Sequence, residues 1–219
     1  MAAGVAAVLI AAASWLAIAQ VPSWYQPPHV GATQYQDVRD DLEAAFNRLN
    51  LAMQGDQPFD YVVNEDRLNR WIAAREQIWP GLRQYVPREL QWPVVAFREE
   101  GIVVAGIVEI GAVRSVLSVL LSVQAEPDRM VVKFVGCRLG AVPVPHWMVR
   151  RFLEAMSHSA PSGSIGPPRD LLKGLVLENR FDWPNGARRF RIGAVDVQSG
   201  RLVAMIHPRS ARHDRVLWR

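Results

Sequence analysis

Residues 2 to 19, AAGVAAVLIAAASWLAIA, carry no charged side chain. As a helix this run would be about 27 Å long at a rise of 1.5 Å per residue, close to the ~30 Å hydrocarbon core of a bilayer. Pro22, Pro27 and Pro28 follow at once. A proline removes a backbone donor and stops a helix, so the run is cut off from any later element that could bury it. A membrane helix is therefore expected, with Trp24 and Tyr25 at the level of interfacial aromatics. Ala17-Ile18-Ala19 before Gln20 has the small-x-small form of a signal-peptidase site, whereas no Lys or Arg stands ahead of the apolar stretch. Two fates remain open: an uncleaved single-pass anchor holding an extracytoplasmic domain, or a secreted or periplasmic domain released by cleavage near Ala19.

The rest of the 219 residues divides into a proline-rich, uncharged stretch at 22–33, a domain at 34–208 and a basic tail at 209–219. The stretch at 22–33 reads as a semi-rigid spacer. One domain of ordinary size accounts for the remaining length, and with half of all residues apolar it should have a packed core. The net charge is only +4, from 25 basic against 21 acidic side chains, and the arginines are scattered. Without a basic patch interleaved with aromatics, nucleic acid is not an expected partner.

Periodicity gives the order of elements. Val38, Leu42, Ala45, Phe46 and Leu49 recur at helical spacing within 34–54, and Gly55 ends that helix. Phe59 to Val63 reads as a short strand. Asn64 then caps a second helix over 65–79, whose stripe is Leu68, Trp71, Ile72 and Ile78, with Glu65 and Asp66 set against its positive end. Four antiparallel strands are predicted at Val94–Arg98, Ile102–Ile110, Val113–Ala125 and Met130–Leu139. A third helix covers His146–Met156, with Trp147, Val149, Phe152, Leu153 and Met156 as its apolar positions. Strands at Leu175–Trp183, Phe190–Val197 and Leu202–His207 complete an α+β domain. On the longest strand Val113, Leu117, Val119, Leu121, Val123 and Ala125 share one face, expected to be wholly buried, and the face with Arg114, Ser118, Ser122 and Gln124 is expected to be half wet. The strand from Ile102 is apolar on both faces, so something apolar must cover each of them.

No phosphate loop, HExxH, CxxC or GxSxG is present, so neither catalytic residues nor a cofactor are expected. Cys137 is the single cysteine, and the five histidines lack the spacing of a metal site, so no metal is expected. A hydrolase using His146 or His158 as base is the enzyme reading with any footing, and Ser157 beside His158 adds nothing, because nucleophile and base meet in space rather than in sequence.

The helix opening Val63-Asn64-Glu65-Asp66-Arg67-Leu68-Asn69 and the junction Gly140-Ala141-Val142-Pro143-Val144-Pro145 carry a resemblance. The chain resembles the YpmS-like and LmeA-like families of anchored or secreted bacterial proteins over residues 34 to 208. Their pattern has a leucine-asparagine step in the helix and a glycine-x-(Leu/Val)-Pro-(Leu/Val)-Pro junction. The resemblance implies a fold like the tubular lipid-binding modules: a curved antiparallel β-sheet packed against two or three amphipathic helices, leaving an apolar groove. It also implies binding of a phospholipid or other hydrophobic ligand without catalysis. Leu117, Val119 and Leu121 are then the expected groove floor, with Trp71 and Trp147 as walls. A solid-cored module that holds a protein partner at the membrane is the competing expectation.

Overall fold

The computed structural model describes residues 13, 15–79, 90–110, 113–157, 170–184 and 188–210. It is an α+β structure whose strands pair antiparallel throughout, in two sheets. Strands β2 (Gln91–Arg98), β3 (Gly101–Ile110), β4 (Val113–Ala125) and β5 (Arg129–Leu139) form a meander, extended by β6 (Val142–Pro143), with β7 (Leu175–Glu178) also paired to β5. The smaller sheet has the order β1 (Phe59–Asn64), β10 (Arg201–Ser210), β9 (Arg188–Gln198), β8 (Phe181–Asp182).

Helix α1 (Tyr35–Gln54) follows a single 3-10 turn and ends at Gly55, as its periodicity predicts. It lies on the smaller sheet. Met53 is buried with Trp183 and Ile206, flanked by Leu49, Phe59, Tyr61 and Phe190. Phe46 stacks on Trp183 at 5.5 Å, and the Trp183 indole N–H donates to Asn50 Oδ1 at 3.0 Å. β1 alternates half-buried and exposed along Phe59–Asn64, the pattern of a strand covered on one side.

The second helix departs from expectation. Instead of one helix over 65–79 there are α2 (Glu65–Ala73) and α3 (Arg75–Ile78), separated at Ala74, whose ψ of 3° leaves the helical region. Asn64 caps α2 as expected, accepting the Arg67 N–H at 3.2 Å. α2 lies along β2, which is an edge strand. An edge strand presents unpaired N–H and C=O groups, and α2 satisfies them with side chains. The Asn69 amide donates to Val95 O and accepts from Val95 N–H, both at 2.8 Å, and Glu65 Oε2 accepts the Phe97 N–H at 2.7 Å. The spacing fits because four helical residues rise ~6 Å and two strand residues span ~6.6 Å. A primary amide is the side chain that offers both a donor and an acceptor, which explains the asparagine of the leucine-asparagine step.

A second buried asparagine joins the sheets. The expected strand Leu175–Trp183 is instead β7 and β8, one in each sheet, because the chain crosses between them at Asn179. Its side chain donates to Glu126 O at 2.6 Å and Ile192 O at 2.7 Å and accepts the Ile192 N–H at 2.8 Å. α4 (His146–Ser157) matches its predicted span, and a short α5 (Asp170–Lys173) precedes β7. Ala13 and residues 15–19 are helical. Among the described residues no helix is long and apolar enough to cross a membrane. His158, most of the loop at 157–169 and most of the basic tail at 209–219 lie outside the described residues.

Candidate functional site

The most informative surface is one face of the larger sheet. Ala96, Val103, Leu120 and Gly136 stand side by side across β2 to β5, and Val94, Ala105, Ser118 and Arg138 form the adjoining row. The pairing of β4 with β5 shifts between Leu120 and Leu121, so that Val135 has no partner opposite it, and such a bulge bends the strand. A Cβ at Gly136 would meet nothing within 4 Å. Bend and missing side chain together leave space above Leu120.

Gln20, Pro22, Ser23 and Trp24 form one wall of that space. Tyr25 is buried against Val94, Ala105 and Val116, with Trp24 and Ile107 packed around it. Its hydroxyl donates to Trp92 O at 2.7 Å, where β2 is interrupted by a left-handed residue, Trp92 at φ 49°. The start of the stretch at 22–33 is therefore part of the packed structure. Burial pushes the Tyr25 phenol up to about 12, although a backbone bond at Ile107 and the charge of Arg114 pull the other way. Between pH 10 and 12 the folded chain keeps a proton that the unfolded chain gives up, so this contribution to stability is complete below pH ~10 and is lost as pH rises through ~12. Tyrosinate absorbance should show a late phase from this phenol, and Tyr25→Phe should abolish that phase while costing about 0.5 to 1.5 kcal/mol at neutral pH.

The result is a groove of about 620 Å³ with an apolar floor of Val103, Leu120 and Val135, walled by Gln20 to Trp24 and rimmed by Arg98, Glu100 and Arg138. Arg98 donates to Glu65 Oε2 at 3.0 Å and lies 5.9 Å from the centre of the Trp24 ring. Arg138 donates to Ala141 O at 3.0 Å and is otherwise exposed to solvent. An apolar floor with a few charged groups at the rim is the composition of a small-molecule site, and the volume lies within their usual span of ~300 to 1,000 Å³.

The N-terminal helical turn docks beside this groove. The Ala17 carbonyl accepts the Ala141 N–H at 2.9 Å, and the Ile18 carbonyl accepts the Ser115 hydroxyl at 2.5 Å. Both are carbonyls of a helix end, which has no intrahelical partner for its last C=O groups. Gly140 adopts φ +58°, and a Cβ there would stand 2.3 Å from Ile18 O. The junction glycine is thus fixed by the approach of the N-terminal segment.

The expected site residues are distributed differently. Leu117, Val119 and Leu121 do share a face of β4, with neighbours Gly106 and Leu139, Val104 and Cys137, Ile102 and Phe134. It is the face opposite the groove, and all three are half-buried. The burial expected along β4 does not hold near its start: Val116 and Ser118, on the face expected to be half wet, are deeply buried, because Trp24 and Tyr25 cover that side. On the other face the deeply buried position is Ser115, whose hydroxyl meets Ile18 O. Trp71 serves the joint between α1 and α2: its N–H donates to Asp41 Oδ2 at 3.0 Å, and Arg67 lies 5.1 Å from its ring centre. The bidentate Arg67 guanidinium, with Trp71, holds the Asp41 carboxyl below the usual carboxylate range. Trp147 is 61% exposed in the first turn of α4.

Val103, Leu120, Gly136 and the Trp24 wall went unrecognised in the sequence. The available signal was Gly136, an isolated glycine within a strand, which marks a bulge or a close approach. His146 stands edge-on to Phe134 with ring centres 5.5 Å apart. Burial pushes the Cys137 thiol up to about 11, so it is not a thiolate at neutral pH and makes a poor nucleophile. Among the described residues no group of three His, Cys, Asp or Glu is placed to hold a metal. Comparison with protein families, with curated proteins and with solved structures gives no match.

Proposed function

We propose that the protein is a membrane-anchored, extracytoplasmic, non-enzymatic module that binds a lipid or another hydrophobic ligand in the groove over Val103, Leu120 and Gly136. In this reading residues 2–19 are the anchor and the bent larger sheet is the binding face. The single observation that carries the proposal is the groove itself, about 620 Å³ over an apolar floor, with Arg98, Glu100 and Arg138 at its rim. Each methylene that leaves water contributes about 0.8 kcal/mol, and a polar head would remain at Arg98 and Arg138.

Lipid extraction from the purified chain followed by mass spectrometry tests the reading, with Leu120→Trp as the discriminating variant. If the space is open, the larger ring fills it: bound lipid should fall about tenfold or more with stability nearly unchanged, whereas overpacking a closed core costs about 1 to 3 kcal/mol. Val119→Phe, on the opposite face, should leave lipid binding intact. A Leu120→Trp protein that retains its lipid, or a parent protein that carries none, would retire the carrier reading in favour of a module that holds a protein partner.

A further inference from the structure

We infer that the first turn of α4 is a bilayer-contacting surface, with Trp147 and Met148 entering the headgroup region and Arg150 and Arg151 meeting anionic lipid phosphates. This rests on the anchor reading of residues 2–19 given above.

At about 100° per residue, Trp147, Arg151 and Met148 span one side of α4, with Arg150 at its margin. Val149 points the opposite way. Burial follows this division: Val149 is 5% exposed, whereas Trp147 and Met148 are 61% and 46% exposed and both arginines are open to solvent. The first turn is thus buried at Val149 and displays an aromatic, a flexible apolar side chain and two cations on its other sides. Such a surface is costly in water. It suits the membrane interface, where an indole finds both an apolar and a wet surrounding and a guanidinium can pair with lipid phosphates.

Continuity with the N-terminal segment identifies the occupant as the bilayer. Gly140 and Ala141 hold the carbonyl end of the N-terminal helical turn, and Trp147 stands seven positions beyond Gly140, at most about 25 Å of extended chain. Part of that chain is pinned, because the Val144 N–H donates to Cys137 O at 2.9 Å. Trp15 and Leu16 of the docked turn are themselves exposed, at 53% and 71%. Two exposed apolar pairs are therefore tied to the turn at Gly140 and Ala141, one through hydrogen bonds and one through the chain, and the uncharged run at 2–12 precedes the first of them. A bilayer that receives the N-terminal run comes within reach of the first turn of α4.

The test uses the full chain in vesicles of phosphatidylcholine with a minority of phosphatidylglycerol, carrying a polarity-sensitive fluorophore at Met148→Cys, at Leu16→Cys or at Val62→Cys. Cys137 is buried and should label slowly. Val62, exposed on β1, serves as the reference. Nitroxide lipids should quench the labels at 148 and 16 but not at 62, and Arg150→Glu with Arg151→Glu should reduce quenching at 148 while leaving 16 unchanged. Quenching at 16 with position 148 behaving like 62 would overturn the surface and leave the anchor standing. No quenching at either position would remove the anchor reading and this surface together.

Discussion

Replacing Gly140 by valine is expected to detach the N-terminal segment from the domain and to lower stability by about 2 to 4 kcal/mol. A left-handed backbone costs a residue with a side chain ~1 to 2 kcal/mol, and local strain of this kind reaches ~3 kcal/mol. The close contacts at Gly140 are carbonyl oxygens of Ile18, Ala17 and Gln20, at 2.3, 2.6 and 2.9 Å from the added Cβ. Backbone cannot rotate away as a side chain would, so the segment must move and the bonds to Ala141 N–H and Ser115 are lost with it. For a chain of this length the shift in melting temperature should be about 5 to 15 °C, with new protease cleavage between Gln20 and Trp24. Gly140→Asn separates the two causes, because asparagine tolerates the left-handed region but still carries a Cβ. An asparagine variant as stable as the parent, with the segment still protected, would show that the close approach is not a constraint.

Asn69→Leu should cost about 2 to 5 kcal/mol while keeping the size of the side chain. The amide serves both backbone groups of Val95, and Asn69 is almost wholly buried. Each polar group left unpaired in such a place costs ~1 to 3 kcal/mol. Asn69→Asp should do no better, since a carboxylate keeps the acceptor for Val95 N–H but sets a negative charge against Val95 O. Urea unfolding should show a lower midpoint with an unchanged slope, the signature of lost stability rather than altered compactness. A leucine variant with the parental midpoint would mean that the edge of β2 is closed by something else.

Both predictions concern motif residues whose presence was legible in the sequence and whose task was not. Asn69 sits in a helix where asparagine has no local reason to be, and its partner lies 26 positions away on a strand edge. Gly140 reads as a turn residue, and it is one, but its contacts come from residues 17 to 20. Asn179 shows the same limit: Leu175 to Trp183 reads as one continuous strand, and only the bonds to Glu126 and Ile192 explain the break. The candidate site was missed for a related reason. Leu117, Val119 and Leu121 are the more uniformly apolar side of β4 and are only half-buried, whereas Val116 and Ser118 on the other side are deeply buried, because a segment that reads as a spacer folds back over them.

The sequence by itself determined the α+β class, the long helix ending at Gly55, the capped start at Asn64 and the antiparallel meander from β2 to β5. These follow from interactions between residues a few positions apart: apolar period, caps and turn residues. Only the tertiary structure decided that the strands form two sheets, that α1 lies on the smaller one, and which face of β4 is covered. A strand's alternation is symmetric, dividing its side chains into two sets without saying which set meets a cover. That choice is made by segments distant in the chain, here Trp24 and Tyr25 against Val116, whose contacts leave no periodic trace in the sequence.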